Sequence, residues 1–209
     1  MKAFLITLLA LFFLTASLAE ALESALSIDL GVAFPLGKMA GTYGPPKYGW
    51  NQKRALFFDV LFTLGMTNHL KILAGANYSL NHVYKGEWND PQYQIPYSKV
   101  LLIFGGLRYQ LLSDAKFNPY ADIAGGLGVI TYKIADNWGN ELSTRYSDPA
   151  LYMGGGLSVS VSDNLLVDIP IHLGIVFWKP KGDEVFMPGW TKGTIDLFYV
   201  GAGFTYLAL

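Results

Sequence analysis

Seven charged residues occupy alternate positions in segments whose intervening positions are apolar, and they are the side chains best placed for ion or acid–base chemistry. They are Asp29, Asp59, Lys71, Arg108, Asp122, Asp168 and Asp196. Alternate residues of a β-strand point to the same side, so each charge would face away from the apolar side of its segment. A buried charge is costly unless it is paired. We therefore expect a structural charge network, with a gate on a narrow ion path as the alternative.

The histidines do not form a catalytic pattern with these charges. Asp168 and His172 share a face, but four strand residues separate them by about 13 Å, which is too far for a dyad. The other two, His69 and His82, stand in a turn and near a loop. Cysteine is absent, no metal-ligand motif occurs, and the glycine run 125–128 lies within a strand pattern rather than before a helix. We expect no catalytic residue, no cofactor and no metal.

The N-terminal segment is typical of a secretory signal peptide. Lys2 precedes an uncharged run rich in Leu and Phe, and small residues follow it at the spacing of a cleavage site. We predict a cleaved signal over residues 1–19 and a mature domain over residues 20–209, with cleavage after Ala21 as the alternative.

The composition is unusual for a soluble protein. Apolar residues make up 52% of the chain and charged residues only 15%, whereas soluble domains carry about 25% charged residues. The formal net charge of −1 and the lack of a basic run give no basis for nucleic-acid binding. No stretch after the signal has the roughly 18 apolar residues of a membrane helix. Only helices and closed barrels satisfy their backbone polar groups in lipid, so a lipid-embedded chain of this kind must be a barrel.

Eight segments show the two-residue alternation of strands rather than the spacing of a helix. They cover residues 27–34, 56–64, 70–81, 97–111, 121–129, 151–161, 165–177 and 194–209. Large apolar side chains lie on one face and small or polar ones on the other, which is the pattern of a membrane barrel. We predict an all-β fold, an eight-stranded antiparallel up-and-down transmembrane β-barrel, with the seven charges in its lumen. A soluble barrel would need Asp and Gly to cover its outer face, which disfavours it.

The connections alternate in length. Short turns are predicted at residues 66–69, 113–118 and 162–164, and long connections at residues 35–52, 84–96, 135–147 and 179–193. Outer-membrane barrels have short periplasmic turns and longer external loops. We therefore expect both termini in the periplasm and four long loops outside.

Three segments carry a resemblance to a known family. They are the strand start Asn118–Asp122, the run Gly125–Gly128 and the last strand, Tyr199–Leu209. With the architecture, they resemble the small eight-stranded outer-membrane barrels of the OmpA transmembrane domain and OmpX type. The last strand departs from the family's assembly signal by ending in Leu209 rather than Phe. The resemblance implies an outer-membrane location, contact with outer-membrane lipids and lipopolysaccharide, and biogenesis through periplasmic chaperones and the barrel-assembly machinery. We expect a monomer.

The tryptophans all lie in, or at the edge of, the four long connections. They are Trp50, Trp88, Trp138, Trp178 and Trp190. An aromatic belt explains Trp178 and Trp190 better than Trp88 and Trp138. For the latter two, packing between loops is the favoured explanation, and a surface for an external protein or sugar is the alternative. We predict a non-enzymatic barrel whose loops serve envelope stabilisation, adhesion or ligand contact.

Two other functions stay open at this point. One is a narrow pore or a lateral conduit for small apolar molecules. Pro170, in the middle of a strand, could mark its exit through a gap in the ladder, although a local bulge is the favoured explanation. The other is an enzyme that modifies lipids.

Overall fold

The computed structural model describes residues 23–36, 54–82, 93–112, 115–136, 141–178 and 193–208. Within them eight strands form a closed barrel in which every strand is antiparallel to its neighbours and β8 pairs with β1. The strands are β1 (Ser24–Leu36), β2 (Ala55–Gly65), β3 (Leu70–His82), β4 (Tyr93–Gln110), β5 (Phe117–Asp136), β6 (Glu141–Ser162), β7 (Leu165–Trp178) and β8 (Gly193–Ala208). The predicted fold class is therefore confirmed. The predicted signal peptide lies outside the described residues.

The outer face of the barrel is apolar. Leu30, Leu56 and Phe204 are exposed by 60%, 73% and 61% of their surface, and Ile123 by 59%. Their neighbours in the chain point inward, as a two-residue period requires, and apart from Phe57 they are small, polar or charged. Apolar side chains on the outer face are stable in contact with lipid tails, whereas their exposure to water would be unfavourable. No helix among the described residues is long and apolar enough to cross a membrane.

The two ends of the barrel differ. One end, called the short-turn end below, carries the turns between β2 and β3, β4 and β5, and β6 and β7, together with both ends of the described chain. The first of these turns is tight: the Met66 amide donates to the Leu70 carbonyl at 2.9 Å, and the Leu70 amide donates to Oγ1 of Thr67 at 3.0 Å. The other end, called the loop end, carries the remaining connections.

One predicted long connection is mostly strand. Residues 135–147 were expected to be a loop, but β5 and β6 stay paired up to Ala135 and Glu141, so only residues 137–140 lie between them. The 20 residues of β5 extend about 65 Å, or roughly 45 Å after a 45° tilt, against a hydrocarbon core of about 30 Å. This hairpin therefore projects past the bilayer at the loop end. Its polar residues suggested a loop because that part of the hairpin lies outside the lipid.

The interior is divided into an apolar and a polar half. Toward the loop end most buried side chains are apolar, and Ser79 and Asp148 are the polar ones among them; the apolar ones are Ala33, Val100, Leu102, Ile130, Tyr146, Val176, Ile195 and Leu197. From the middle to the short-turn end they are mainly polar or charged. Most of the lumen's possible chemistry thus lies in the polar half.

Candidate functional site: the charged lumen network

Six of the seven predicted charges lie in the lumen. Each is at most 6% exposed: Asp29, Asp59, Lys71, Arg108, Asp122 and Asp168. Hydrogen bonds join four of them to one another or to other lumen side chains, and Lys71 forms an ion pair with Glu23 at the short-turn end, Nζ to Oε2 3.6 Å.

Asp196 is the exception, and its predicted lumen position is wrong. It pairs in register with Leu36 on β1 and Ile175 on β7, which both point outward. Its chain neighbours Ile195 and Leu197 point inward and are 1% exposed. The apolar half of the lumen explains the error, because in this stretch of β8 the apolar residues fill the barrel rather than face lipid.

The strongest contact in the lumen joins Arg108 to Asp122. The two residues oppose each other on β4 and β5. Nε and one terminal nitrogen of Arg108 each donate to a different carboxylate oxygen, both at 2.8 Å. The guanidinium carbon also lies 3.9 Å from the centre of the Tyr120 ring. A bidentate contact of this kind fixes the relative orientation of the two side chains as well as pairing their charges. It links β4 to β5 near the turn that joins them.

A chain of hydrogen bonds crosses the lumen from this pair. Nε2 of His172 lies 3.1 Å from Oδ2 of Asp122, and its Nδ1 lies 2.6 Å from the Tyr152 hydroxyl. The same hydroxyl donates to Oδ2 of Asp59 at 2.7 Å. Tyr152 is held flat against Phe104, with ring centres 4.0 Å apart. The chain therefore links β5, β7, β6 and β2 across the barrel.

These three bonds require a fixed number of hydrogens, because a carboxylate only accepts. Tyr152 donates to Asp59, so Nδ1 of His172 donates to the Tyr152 hydroxyl, and one further hydrogen lies between His172 and Asp122, either on Nε2 of His172 or on the carboxyl group of Asp122. In both arrangements the groups Asp59, Tyr152, His172 and Asp122 carry one negative charge together. Arg108 balances it. The network is thus neutral as a whole, which lowers the cost of burying it.

A second group of hydrogen bonds surrounds Asp168. Its carboxylate accepts from the hydroxyls of Ser158 on β6 and Thr205 on β8. The Ser27 and Thr205 hydroxyls lie 2.6 Å apart. Asp168 and His172 therefore have different hydrogen-bond partners.

A further histidine lies away from the lumen network. His69 lies at the β2–β3 turn, where Nδ1 contacts the Gln110 carbonyl at 2.9 Å and the ring stacks on Tyr109. Among the described residues, no group of three or more His, Cys, Asp or Glu side chains is arranged to hold a metal ion.

The short-turn end contains a polar cavity of about 550 Å³. Its lining includes Lys71, Gln110, Asn118 and Ser158, all buried, together with Lys116. Because Ser158 donates to Asp168, the cavity reaches the inner charge network.

The pairing of the barrel wall is interrupted at Pro170. The β7–β8 ladder stops after Asp168 and resumes at Ile171 in the same register, while Pro170 remains paired with Gly156 on β6. The favoured bulge is therefore wrong, because a bulge would shift the register. The missing proline N–H leaves a gap instead.

Four of the five tryptophans, Trp50, Trp88, Trp138 and Trp190, lie outside the described residues. Trp178 is the last residue of β7, and its side chain is likewise outside the description. The role of these tryptophans in ligand contact therefore stays a prediction.

Sequence reasoning placed His172 on the same face as Asp168, but it did not connect His172 or Tyr152 to Asp59 and Asp122. The only signal was their inward position. A contact between β2 and β6 depends on how the barrel closes and on side-chain rotamers, which alternation does not encode.

Comparison with known proteins places this geometry among solved barrels. No protein-family model and no curated protein matches the sequence. Solved structures do match. Ail, the attachment invasion locus protein of Yersinia pestis, in complex with the heparin analogue sucrose octasulfate, aligns with a TM-score of 0.55 and 14% identity over 88% of this chain and 98% of Ail. The fold is that of an outer-membrane barrel.

Two further structures agree. Neisserial surface protein A aligns with a TM-score of 0.52 and 12% identity, over 88% of this chain and 95% of that one. OprG from Pseudomonas aeruginosa aligns with a TM-score of 0.51 and 14% identity, over 88% of this chain and 96% of that one. This fold and the apolar exterior place the barrel in a bacterial outer membrane.

Proposed function

We propose that the chain is a non-enzymatic, monomeric barrel with a closed lumen, which anchors its external connections in the outer membrane for contact with a ligand. The observation that carries this proposal is the apolar half of the lumen. Five of its side chains, Val100, Leu102, Ile130, Ile195 and Leu197, are 0–1% exposed. A hydrated ion needs a polar or water-filled path, and a barrel of eight strands is only wide enough for side chains to fill. The charge network is then structural rather than a gate.

The first external connection suggests the ligand class. Residues 37–54 contain Lys38, Lys47, Lys53 and Arg54 and no acidic residue. They also contain two tyrosines and Trp50. Basic and aromatic side chains together suit an anionic sugar, because the cations pair with sulfate or phosphate and the rings pack on the sugar face. The complex of Ail with a heparin analogue supports the same class for a barrel of this fold.

This part of the proposal is tested by binding. The barrel refolded in detergent is titrated with sucrose octasulfate, and the four cations of residues 37–54 are replaced by Gln. We expect the affinity to fall by at least about tenfold, because several charge-assisted contacts are lost. Lys179, Lys181 and Lys192 in the β7–β8 connection are the matched control, since acidic residues accompany them. Equal losses in both variants would indicate general charge attraction and would contradict a site in residues 37–54.

The β7–β8 gap supports a second candidate function, a lateral conduit for small apolar molecules. Ile169 and Ala202 lie beside the gap and face outward. An apolar molecule leaving the lumen there would enter the lipid directly.

A further inference from the structure

Two cations face outward in one row across β4, β5 and β6. On these strands, Lys99 and Arg145 are the charged residues whose described side chains point away from the lumen, since their chain neighbours Val100 and Tyr146 are buried inside it. Lys99 pairs in register with Thr131 on β5, and Thr131 pairs with Arg145 on β6. Neighbouring strands lie about 4.8 Å apart, so the Cα atoms of the two cations are about 10 Å apart. Both side chains are long enough to reach one anion placed over Thr131.

This row lies where the apolar band of the outer face ends. Lys99 and Tyr109, an outward-facing aromatic residue near the short-turn end, are ten residues apart on β4. Ten strand residues span about 33 Å, or about 25 Å along the barrel axis at a tilt of about 40°. The apolar band of an outer-membrane barrel is about 25 Å tall. Ile103 and Leu107 lie between the two residues and are 44% and 42% exposed, so Lys99 and Arg145 stand at the headgroup level of the loop end.

The β5–β6 hairpin continues above the row. β5 runs for five residues beyond Thr131, to Asp136, and β6 begins at Glu141. Five strand residues add about 12 Å along the axis at the same tilt. The polar layer on each side of a bilayer is only about 5–8 Å thick. A lipid bound at the row would therefore have protein beside its whole headgroup, and the hairpin would extend past the headgroup of an ordinary phospholipid.

The two ends of these strands differ in their outward charge. Near the short-turn end, Tyr109, Phe117 and Val161 face outward and are uncharged. Long cationic side chains at a membrane boundary can reach water by themselves, but this would suit either end of the barrel. The placement of both cations in one row at the loop end favours an anionic partner in the outer leaflet.

We propose that Lys99, Thr131 and Arg145 bind a phosphate of one lipopolysaccharide molecule, whose acyl chains lie on the apolar outer face of β4 and β5. Arg and Lys form charge-assisted hydrogen bonds with phosphate, and the Thr131 hydroxyl can donate another. Such contacts are stronger beside the hydrocarbon layer than in bulk water. The sugars of a lipopolysaccharide would lie along the hairpin above the row. The site is separate from the ligand contact proposed for residues 37–54, because it uses other residues on other strands.

Native mass spectrometry tests the site by counting the lipids that stay bound to the barrel. The barrel is refolded in detergent and titrated with lipopolysaccharide of minimal core, with the same lipid after enzymatic dephosphorylation, and with phosphatidylglycerol. We expect the phosphorylated lipopolysaccharide to bind at about one molecule per chain and at least about tenfold more tightly than the other two, because only it combines phosphate with a sugar headgroup.

Two outcomes of the titration would overturn the proposal. Equal binding of phosphatidylglycerol would indicate a general preference for anionic lipid. Full displacement of the lipopolysaccharide by millimolar inorganic phosphate would indicate a site for a free anion.

Variants separate the row from the other cations of the barrel. Lys99→Gln and Arg145→Gln should each weaken lipopolysaccharide binding at least about fivefold, because each removes a charge-assisted contact. Arg145→Lys keeps the charge and should weaken binding less than Arg145→Gln. Lys116→Gln is the matched control, since Lys116 lines the cavity at the short-turn end, and binding should be unchanged. Equal effects of Lys116→Gln and the two row variants would contradict the site.

A gain-of-function variant keeps the test decisive if the Gln variants fold poorly. Thr131→Lys places a third cation at the centre of the row, so lipopolysaccharide should bind at least about threefold more tightly than to the wild type. The heat-modifiable shift on a denaturing gel shows that each variant is folded. A folded Thr131→Lys barrel that binds the lipid no more tightly would show that the phosphate does not lie at this row, and the proposal would be wrong.

Discussion

Nε2 of His172 lies 3.1 Å from Oδ2 of Asp122, although the two residues are 50 positions apart and β6 lies between their strands. Asp122 also holds Arg108, and His172 also contacts Tyr152. The contact therefore joins the pair near the β4–β5 turn to the chain that ends at Asp59. This contact therefore connects most of the hydrogen-bonded charged groups in the lumen.

The Tyr152 hydroxyl is the middle of that chain, so its removal tests the network. Tyr152→Phe removes the hydrogen-bond partner of Oδ2 of Asp59 and of Nδ1 of His172, and we expect a loss of about 1–3 kcal/mol in the free energy of unfolding. The measurement is urea unfolding of the barrel in lipid vesicles. Tyr78→Phe is the control, because Tyr78 faces outward on β3 and is 38% exposed. Equal effects of the two variants would show that the bridge contributes nothing.

Arg108→Met keeps most of the side-chain volume but leaves Asp122 buried without its cation. We expect a loss of about 3–5 kcal/mol, the usual cost of removing one partner of a buried ion pair. Adding Asp122→Leu should recover part of that loss, since the uncompensated charge disappears. The same unfolding measurement checks this, and a double variant less stable than Arg108→Met would contradict the pairing.

Two glycines give a sharp contrast in barrel assembly. A methyl group at Gly203 would overlap Oδ1 of Asp29 and the Ile28 carbonyl, whereas a methyl at Gly125 meets nothing within 4 Å. Gly203→Ala should therefore reduce the yield of folded barrel, and Gly125→Ala should not. The heat-modifiable shift on a denaturing gel measures the folded fraction. Equal yields would mean that Asp29 does not occupy the position above Gly203.

The gap at Pro170 makes a separate prediction about the lateral conduit. Pro170→Val restores a backbone N–H and should close the β7–β8 ladder. If the conduit operates, cells carrying this variant take up a small apolar fluorophore more slowly than cells with the wild type. Pro149→Val is the control, because Pro149 pairs only with Leu127 on β5 and lies beyond the β6–β7 pairing. Unchanged uptake in Pro170→Val would argue against an exit at this gap.

The sequence was sufficient for the barrel because every strand repeats the same two-residue pattern. It failed at Asp196, where the lumen itself is apolar and the pattern no longer distinguishes the lipid side from the inside. It also failed at residues 141–147, because polar residues of a hairpin outside the bilayer look like a loop. The pairing of Arg108 with Asp122 could be predicted, because one short turn joins their strands. The contacts of His172 with Asp122 and of Tyr152 with Asp59 could not be predicted, since they join strands that are not neighbours.

The central claim is that packed side chains close the lumen, and single-channel recording in planar bilayers tests it most directly. The purified, refolded barrel is added at a voltage at which open porins conduct. The apolar half around Leu102, Ile130 and Leu197 predicts a baseline without steps. Regular current steps of uniform size from the wild-type barrel would contradict a closed lumen and would favour the pore.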